Sequence, residues 1–232
     1  MADGGAFRAL VIEHERATPG GRVFDWLEDH GAVVDELQID VDGREIDVAD
    51  YSLLVSLGSE LAPYHDHVPW IPREVELLRR AHQSGVSVLG ICFGGQLLAR
   101  ALGSSVHRAE GSEIGWLPVR SLDPAVLPDG PWFQWHFDTF ELPRGSRLVA
   151  ETDIGPQAYI AGQSMGVQFH PEVTPEIMED WVRVFRHELD DEGVDPDGLL
   201  EETYKRADSS RATSRKLFDA FLGKVAGLGE SA

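Results

Sequence analysis

Cys92, the only cysteine in the 232-residue chain, stands between two glycines at the end of an apolar run. The run Val86–Ile91 is typical of a buried strand, and the sequence after Gly94 is typical of a helix. A strand, a sharp turn and a helix form an elbow that exposes a nucleophile, and glycines let the two elements pass closely. The helix dipole stabilises a thiolate in such a turn. The pattern permits a nucleophilic thiol, but by itself it favours the more common use of an isolated cysteine, a small buried hydrophobic residue.

A thiol nucleophile needs a base, and His170 with Glu172 forms the candidate pair. They follow the strand-like segment Gly166–Phe169, and residues two apart on a strand point to the same side. Pro171 marks a strand end or edge, because proline cannot donate a hydrogen bond to a neighbouring strand. A carboxylate bonded to one imidazole nitrogen leaves the other to take the thiol proton. We therefore predict a triad of Cys92, His170 and Glu172; the alternative is a solvated His-Glu pair at a strand end.

The elements that must position these residues alternate between strand and helix over the first hundred residues. Strands are predicted at residues 7–12, 33–37, 51–57 and 86–91, and helices at about 23–30, 73–82 and 95–102. This alternation favours an open, mostly parallel sheet with crossover helices. Ligands bind outside the carboxyl ends of the strands in such sheets, which is where the Cys92 turn lies.

From residue 114 onwards the periodicity becomes that of antiparallel strands. These strands are predicted at residues 114–119, 132–137, 147–150, 158–161 and 165–170, separated by turn-rich segments. A helix is expected from Pro175 to about Leu189, followed by a loop over 190–198 and a final amphipathic helix around 217–225. The strands read as a small antiparallel β layer of one domain over residues 1–232, with its core at about 7–185 and a helical extension at 186–232.

Charge and composition exclude several classes of partner. The chain has 40 acidic and 20 basic residues, and its net charge of −20 would repel nucleic acids and anionic membranes. A single cysteine rules out an intrachain disulfide framework and fits a reducing compartment. Met1–Gly5 lacks signal-peptide features, and no apolar run reaches the roughly 18 residues of a membrane span. We therefore expect a cytoplasmic protein.

The segment His65-Asp66-His67 carries adjacent side chains of the kind that bind metals. No third candidate stands at a recognised ligand spacing from them. We therefore expect no metal at this segment.

The elbow and the His-Glu motif together resemble the class I, triad-type, glutamine amidotransferases. The similarity is greatest to stand-alone proteins like the amidotransferase domain of GMP synthase, and it extends over roughly residues 7–185. It implies a flavodoxin-like three-layer α/β fold with helices on both faces of the sheet, and it implies no cofactor. By this resemblance Cys92 attacks the γ-carboxamide of glutamine, His170 is the general acid and base, and Glu172 orients His170.

The resemblance also assigns supporting residues. Gly58 and Phe93 would offer backbone N–H groups to the oxyanion, and Gln96 would help to hold the substrate. Trp135 and His136 belong to a Trp-His-X-Asp signature of the stand-alone branch, which lies near the active-site cleft. Both are candidate substrate contacts; the alternative is a core aromatic residue with a satisfied polar neighbour.

The chain departs from the family pattern in two places. Leu57-Gly58-Ser59 replaces the usual Gly-Gly-Pro oxyanion loop, so the assignment of Gly58 depends on its position alone. Gly95 occupies a position that varies in the family, often histidine or alanine, and it carries no mechanistic assignment.

The resemblance implies a glutamyl-thioester that water releases as glutamate, after ammonia has left. The chain has no Gly-X₄-Gly-Lys-Ser/Thr phosphate loop and no room for a synthase domain, so an ammonia-accepting synthase subunit would be separate. A γ-glutamyl peptidase or hydrolase is the alternative enzyme, and a non-catalytic binding or regulatory subunit is a third hypothesis. Loops at 59–70 and 107–115 would shape the room for the leaving group. The sequence leaves a homodimer open.

Overall fold

A computed structural model describes residues 7–228, which form nine strands and six α-helices. The strands are β1 Arg8–Glu13, β2 Val33–Gln38, β3 Leu53–Ser56, β4 Ser87–Ile91, β5 Val106–Ser121, β6 Gly130–Phe140, β7 Arg147–Glu151, β8 Pro156–Ala161 and β9 Ser164–Val167. The helices are α1 Arg22–Asp29, α2 Trp70–Gln83, α3 Phe93–Ala101, α4 Pro175–Val184, α5 Arg186–Glu192 and α6 Pro196–Ala220, followed by a π-helical turn at Phe221–Val225. The segment Met1–Gly5, expected to lack a signal peptide, lies outside the described residues.

All nine strands belong to one hydrogen-bonded order, β2-β1-β3-β4-β9-β8-β7-β5-β6. In that order the first five strands, which are β2, β1, β3, β4 and β9, pair in parallel. Every pair that follows β9 in the order is antiparallel. The long β5–β6 hairpin joins the rest of the sheet through two β5 residues, Arg120 and Ser121. The predicted α/β fold is confirmed, and its antiparallel strands continue the parallel sheet.

Alternating apolar residues of the parallel strands bury both faces of the sheet. In β1, Ala9 and Val11 face the side covered by α1 and the end of α6, whereas Leu10 and Ile12 face α2 and α3. Strands β3 and β4 alternate in the same way. This gives the expected three layers. A further aromatic cluster fills the space between the β5–β6 hairpin and helices α4 to α6.

Two helix boundaries differ from the sequence prediction. Helix α2 begins at Trp70, before the predicted residue 73, because Pro72 lies in the first helical turn, where its missing N–H is not needed. The helix predicted from 175 to 189 is broken at Phe185, whose φ of −101° and ψ of 25° end α4 before α5 begins. The ring of Phe185 packs there against Trp135 and Trp181.

The predicted loop over 190–198 is wrong, because α5 and α6 leave only residues 193–195 between them. Gly193, with φ of 68°, ends α5, and the Asp195 side chain caps α6 ahead of Pro196. The first half of α6 was not predicted, because its buried face includes polar residues such as Thr203 and Ser210, which weaken the apolar periodicity.

The end of α6 forms part of the same core as the sheet. Phe218 is 1% exposed and lies 5.2 Å from the Trp26 ring of α1, measured between ring centroids. The turn that follows buries Phe221 and Leu222 against the same cluster. Among the described residues, no helix is both long and apolar enough to cross a membrane.

We expect Phe218→Ala to lower the free energy of unfolding by about 3–5 kcal/mol, because truncating a buried phenylalanine removes apolar contacts and leaves a cavity. Lys216, which is exposed on the same helix, provides the control: Lys216→Ala should change the value by less than about 0.5 kcal/mol. Urea unfolding followed by circular dichroism measures both. Equal effects of the two variants would show that the end of α6 contributes little to the core.

Candidate active site

Cys92 forms the turn between β4 and α3, as the sequence predicts. Its φ of 50° makes it the only non-glycine residue with positive φ in residues 7–228. Such a conformation costs about 1–3 kcal/mol and persists only where the surrounding structure enforces it. Here the Cys92 N–H donates to the Val167 carbonyl at 2.8 Å, and the Cys92 carbonyl accepts from the Gln96 N–H at 3.0 Å. The thiol is thereby held at the N-terminus of α3.

Glycines around the turn allow the backbones to approach closely. A Cβ added to Gly90 would lie 2.4 Å from the Gly94 carbonyl oxygen, and one added to Gly94 would lie 2.1 Å from the Ser56 carbonyl oxygen. A Cβ on Gly95 would lie 2.6 Å from the Val167 carbonyl oxygen. The close packing expected of the elbow glycines is therefore present. Gly95 is thus as tightly enclosed as the other two glycines.

His170 and Glu172 meet in a loop and not on a strand. Strand β9 ends at Val167, so the expectation that strand alternation aligns the two side chains is wrong. A turn at Pro171 and Glu172 brings His170 Nδ1 to 2.7 Å from Glu172 Oε1, with both side chains almost fully buried. The backbone N–H of His170 donates to the Phe133 carbonyl at 2.8 Å, and the imidazole lies edge-on to Trp181 at 4.8 Å between centroids. The imidazole is therefore held by Glu172 and by Trp181.

The surroundings of His170 favour its protonated form. Burial acts to lower its pKa, but the charges of Glu172 and Cys92, and hydrogen bonds with both, raise the pKa from 6.5 to about 10. Because Nδ1 is bound to Glu172, Nε2 is the nitrogen left for the thiol. This order of groups can move a proton from the thiol to the ring and hold the resulting imidazolium.

Gln168 is a contact of the thiol that sequence reasoning missed. Its Nε2 lies 3.6 Å from Cys92 Sγ, and its Oε1 accepts from Gln96 Nε2 at 3.1 Å. Gln96 Nε2 also donates to the Asp138 carbonyl at 3.2 Å, so protein groups take both of its amide hydrogens. A polar residue within the apolar run before His170 was the available signal for Gln168.

Two residues that line the cavity with Cys92 have unpaired backbone N–H groups within the described part of the chain. A Cβ on Gly58 would lie 3.3 Å from His170 Cε1, so the loop after β3 lies directly beside the imidazole. The N–H groups of Gly58 and Phe93 have no hydrogen-bond acceptor within residues 7–228, and both residues line the same cavity as Cys92. They are able to bind an anion that develops next to Sγ.

The cavity has a volume of about 470 Å³, which is within the range of small-molecule sites. All the predicted site residues line it except Glu172, which lies behind His170. Residues of the 59–70 loop and Arg108 also contribute, as predicted. The wall formed by Glu188, Asp191 and Glu192 of α5 was not predicted, since those residues were assigned to a helix end and a loop.

Trp135 and His136 line the cavity but also have protein partners. Trp135 Nε1 donates to Glu188 Oε2 at 2.6 Å, and its ring packs edge-on against Trp181. Its carbonyl oxygen is 3.9 Å from Cys92 Sγ. His136 Nδ1 lies 3.0 Å from the Asp138 carbonyl, and Nε2 lies 3.0 Å from Glu113 Oε2. Within the described residues His136 Nε2 makes no hydrogen bond, so Trp135 fits the alternative interpretation of a core aromatic residue, whereas His136 is only partly satisfied.

The segment His65-Asp66-His67 is held by other contacts. Asp66 pairs with Arg100 at 2.9 Å, and the two histidine rings are 5.3 Å apart between centroids. Within residues 7–228 no group of three or more His, Cys, Asp or Glu side chains is arranged to hold a metal ion.

The fold and site define a class of α/β proteins with a cysteine at a strand-to-helix elbow beside a buried His-Glu pair. Residues 23–187 match the family described as Glutamine amidotransferase class-I, and the chain belongs to that family.

Relatives of known sequence and structure agree with this assignment. A glutamine-hydrolysing GMP synthase of Vibrio vulnificus is 34% identical over 145 residues, covering 57% of this chain and 27% of the relative. The crystal structure of a glutamine amidotransferase from Thermotoga maritima is 31% identical, covers 94% of this chain and 99% of the other, and superposes with a TM-score of 0.86. A glutamine amidotransferase structure from Methylobacillus flagellatus, 24% identical with a TM-score of 0.87 and covering 95% and 96% of the two chains, has the same fold. This chain spans about a quarter of the Vibrio relative's length.

We expect Glu172→Gln to move the titration midpoint of the His170 ring down from about 10 by at least about one pH unit, because the carboxylate is a main source of the raised pKa. The ring would then lose its proton at lower pH than in the wild type. NMR titration of the imidazole resonances measures the shift. Glu76→Gln, an exposed change on α2, is the control and should leave the midpoint unchanged. A midpoint unaffected by Glu172→Gln would contradict the coupling.

Proposed function

We propose that this protein hydrolyses the side-chain amide of glutamine through a glutamyl-thioester on Cys92 and releases ammonia. The observation that carries the proposal is that Cys92 and His170 line the same cavity, with His170 bound to buried Glu172 and its pKa raised by the charges of Glu172 and Cys92. Membership of the class I glutamine amidotransferase family supports it. In this mechanism Cys92 is the nucleophile, His170 the acid and base, and Glu172 the group that orients His170.

The first half-reaction forms the thioester. The Cys92 thiolate attacks the γ-carboxamide carbon, and the carbonyl π electrons move to oxygen, which the N–H groups of Gly58 and Phe93 stabilise. His170 then donates its proton to the amide nitrogen as the C–N bond breaks, so that ammonia leaves. Gln96 and Gln168 hold the side chains around the thiol in place during this step.

The second half-reaction restores the enzyme. Neutral His170 takes a proton from water, and the hydroxide attacks the thioester carbon. The C–S bond breaks, glutamate is released, and the proton on His170 again pairs with the Cys92 thiolate. Glutamine and water are thus converted to glutamate and ammonia, and the proton that the new carboxylic acid loses at neutral pH converts the ammonia to ammonium.

The ammonia would be consumed by a separate synthase. The Vibrio relative is named as a glutamine-hydrolysing GMP synthase, and this chain corresponds to about a quarter of it. We propose that an ammonia-accepting partner supplies the remaining chemistry, with transfer across the interface between the two proteins. Stimulation of ammonia release by that partner would identify it.

The cavity supports a second candidate function, the hydrolysis of larger γ-glutamyl amides by the same residues. The cavity has a volume of about 470 Å³, and it extends beyond the thiol to Arg108 and to Asp191 of α5. This space can hold a leaving group bulkier than ammonia, and the charged side chains can bind a polar one. The chemistry at Cys92 is the same for both candidates, and only the leaving amine differs.

Substrate comparison separates these candidates. The purified protein is incubated with glutamine, γ-glutamyl dipeptides and glutathione, and released glutamate and ammonia are quantified. Release of ammonia from glutamine supports the first proposal. Turnover of the dipeptides without turnover of glutamine replaces it with the second. Absence of both turnover and labelling by a glutamine-analogue electrophile would favour a non-catalytic binding or regulatory subunit.

We expect Cys92→Ala and Cys92→Ser to abolish turnover and labelling, since the chain has no other cysteine. His170→Ala should lower kcat by about 10²–10⁴-fold, the usual contribution of general acid–base catalysis. His187→Ala, at an exposed histidine of α5, is the matched control and should retain the wild-type rate. Activity that survives in Cys92→Ala would remove the thiol from the mechanism.

A further inference from the structure

A second histidine–carboxylate pair lies directly behind the Gly58 loop and has no part in the mechanism above. His14 Nε2 is 2.7 Å from Glu74 Oε2, and both side chains are fully buried. His14 Nδ1 is 2.8 Å from the carbonyl oxygen of Gly58. The pair therefore holds the loop that carries a proposed oxyanion donor.

Several elements fix this pair in place. His14 follows β1, Glu74 belongs to α2, and the other Glu74 oxygen accepts from Ser56 Oγ at the end of β3 at 2.7 Å. The imidazole is stacked on Trp70 at 5.1 Å and lies edge-on to Phe93 at 4.9 Å, both measured between centroids. Because the Phe93 ring belongs to the first residue of α3, the pair is packed against the elbow itself.

The contacts of the His14 ring favour its doubly protonated form. A carbonyl oxygen can only accept, so Nδ1 donates to Gly58, and Nε2 donates to the Glu74 carboxylate. Burial acts to lower the pKa of His14, but the Glu74 charge, the hydrogen bond to Glu74 and the bond to the Gly58 carbonyl together raise it above 6.5. Both ring nitrogens thus face hydrogen-bond acceptors, an arrangement that the imidazolium form satisfies.

The bond to the Gly58 carbonyl orients the peptide group between Gly58 and Ser59. A trans peptide directs its N–H away from its C=O, so the Ser59 N–H points away from His14. His14 does not line the cavity, whereas Gly58 and Ser59 do. Within the described part of the chain the Ser59 N–H has no hydrogen-bond acceptor.

The preceding peptide group is held in the same way. The Leu57 carbonyl accepts from the Gly94 N–H at 2.9 Å, so the N–H of Gly58 is also directed away from its anchor. Both peptide groups that flank the Gly58 Cα are therefore fixed through their oxygens. A cation on one peptide oxygen also polarises the group and strengthens its N–H as a donor.

We propose that His14, held as an imidazolium by Glu74, orients and polarises the Gly58–Ser59 peptide so that the Ser59 N–H becomes an additional donor to the oxyanion. The inference rests on the proposed function, because an oxyanion forms only when Cys92 attacks a carbonyl. His14 is a positioning residue, since it acts on the reacting atoms through a backbone group.

The test uses three variants with the substrate that the wild type turns over. His14→Phe keeps an aromatic ring against Trp70 and Phe93 but removes the donor, and it should lower kcat by about 10²–10³-fold, the usual effect of losing one oxyanion donor, with KM unchanged. His14→Gln retains a donor and should recover part of the loss. Glu74→Gln keeps the shape and the bond to Ser56 but leaves His14 neutral, and its loss should be smaller than that of His14→Phe.

Two further measurements distinguish positioning from a structural role. The rate at which iodoacetamide alkylates Cys92 should be the same in all variants, because that reaction forms no oxyanion. In ¹⁵N NMR spectra at pH 7.5, both ring nitrogens of His14 should carry protons in the wild type, and one should lose its proton in Glu74→Gln. Glu76→Gln is the matched control on α2 and should change none of these values.

The inference is overturned if His14→Phe keeps the wild-type kcat, or if kcat, KM, alkylation rate and thermal midpoint all deteriorate together. A neutral His14 ring in the wild type also overturns it. If His14→Phe does not fold, the comparison of Glu74→Gln with Glu76→Gln decides the outcome. A wild-type protein that turns over neither glutamine nor any γ-glutamyl amide refutes the proposed function and the oxyanion role together, whereas an active wild type with an unaffected His14→Phe refutes this inference alone.

Discussion

The close approach of β4, α3 and the end of β3 around Cys92 sets the positions of the groups in this site. Gly94 lies so near Ser56 that no side chain fits between them, and the Cys92 backbone is held at a positive φ of 50°. That geometry places the thiol at a helix N-terminus and brings the Gly58 loop beside His170. A looser elbow would move Cys92 away from the Gly58 loop, and displacements near 1 Å would be costly to the proposed reaction.

Buried ionic pairs on either side of the elbow stabilise charge where water is largely excluded. His170 with Glu172 lies on the thiol side, and His14 with Glu74 lies behind the Gly58 loop. An unpaired charge at either place would carry a large desolvation cost, so each histidine depends on its carboxylate. The same low dielectric strengthens the hydrogen bonds that these ions make, which is an advantage for a site that must hold developing charge.

The region after residue 185 contributes to both the cavity and the hydrophobic core. Helix α5 forms one wall of the cavity, and the end of α6 fills the core against α1 and the sheet. The site is therefore enclosed on one side by a segment that contributes none of the proposed catalytic residues. Differences in α5 between relatives would change the space for a leaving amine without altering the chemistry at Cys92.

The sequence by itself determined the α/β fold, the Cys92 elbow and the pairing of His170 with Glu172, because each is encoded by local periodicity, glycine placement or residues close together in the chain. It gave the wrong geometry for His170 and Glu172, which meet in a turn after β9 and not on the strand. Only the tertiary structure showed that Gln168 reaches the thiol and that His14 meets Glu74, 60 residues away in the chain. The tertiary structure also showed that α5 forms a wall of the cavity, which the sequence did not predict because α5 carries little apolar periodicity. Contacts of this kind depend on where the ends of parallel strands lie relative to one another in the folded protein. The spacing of residues along the chain does not determine those positions.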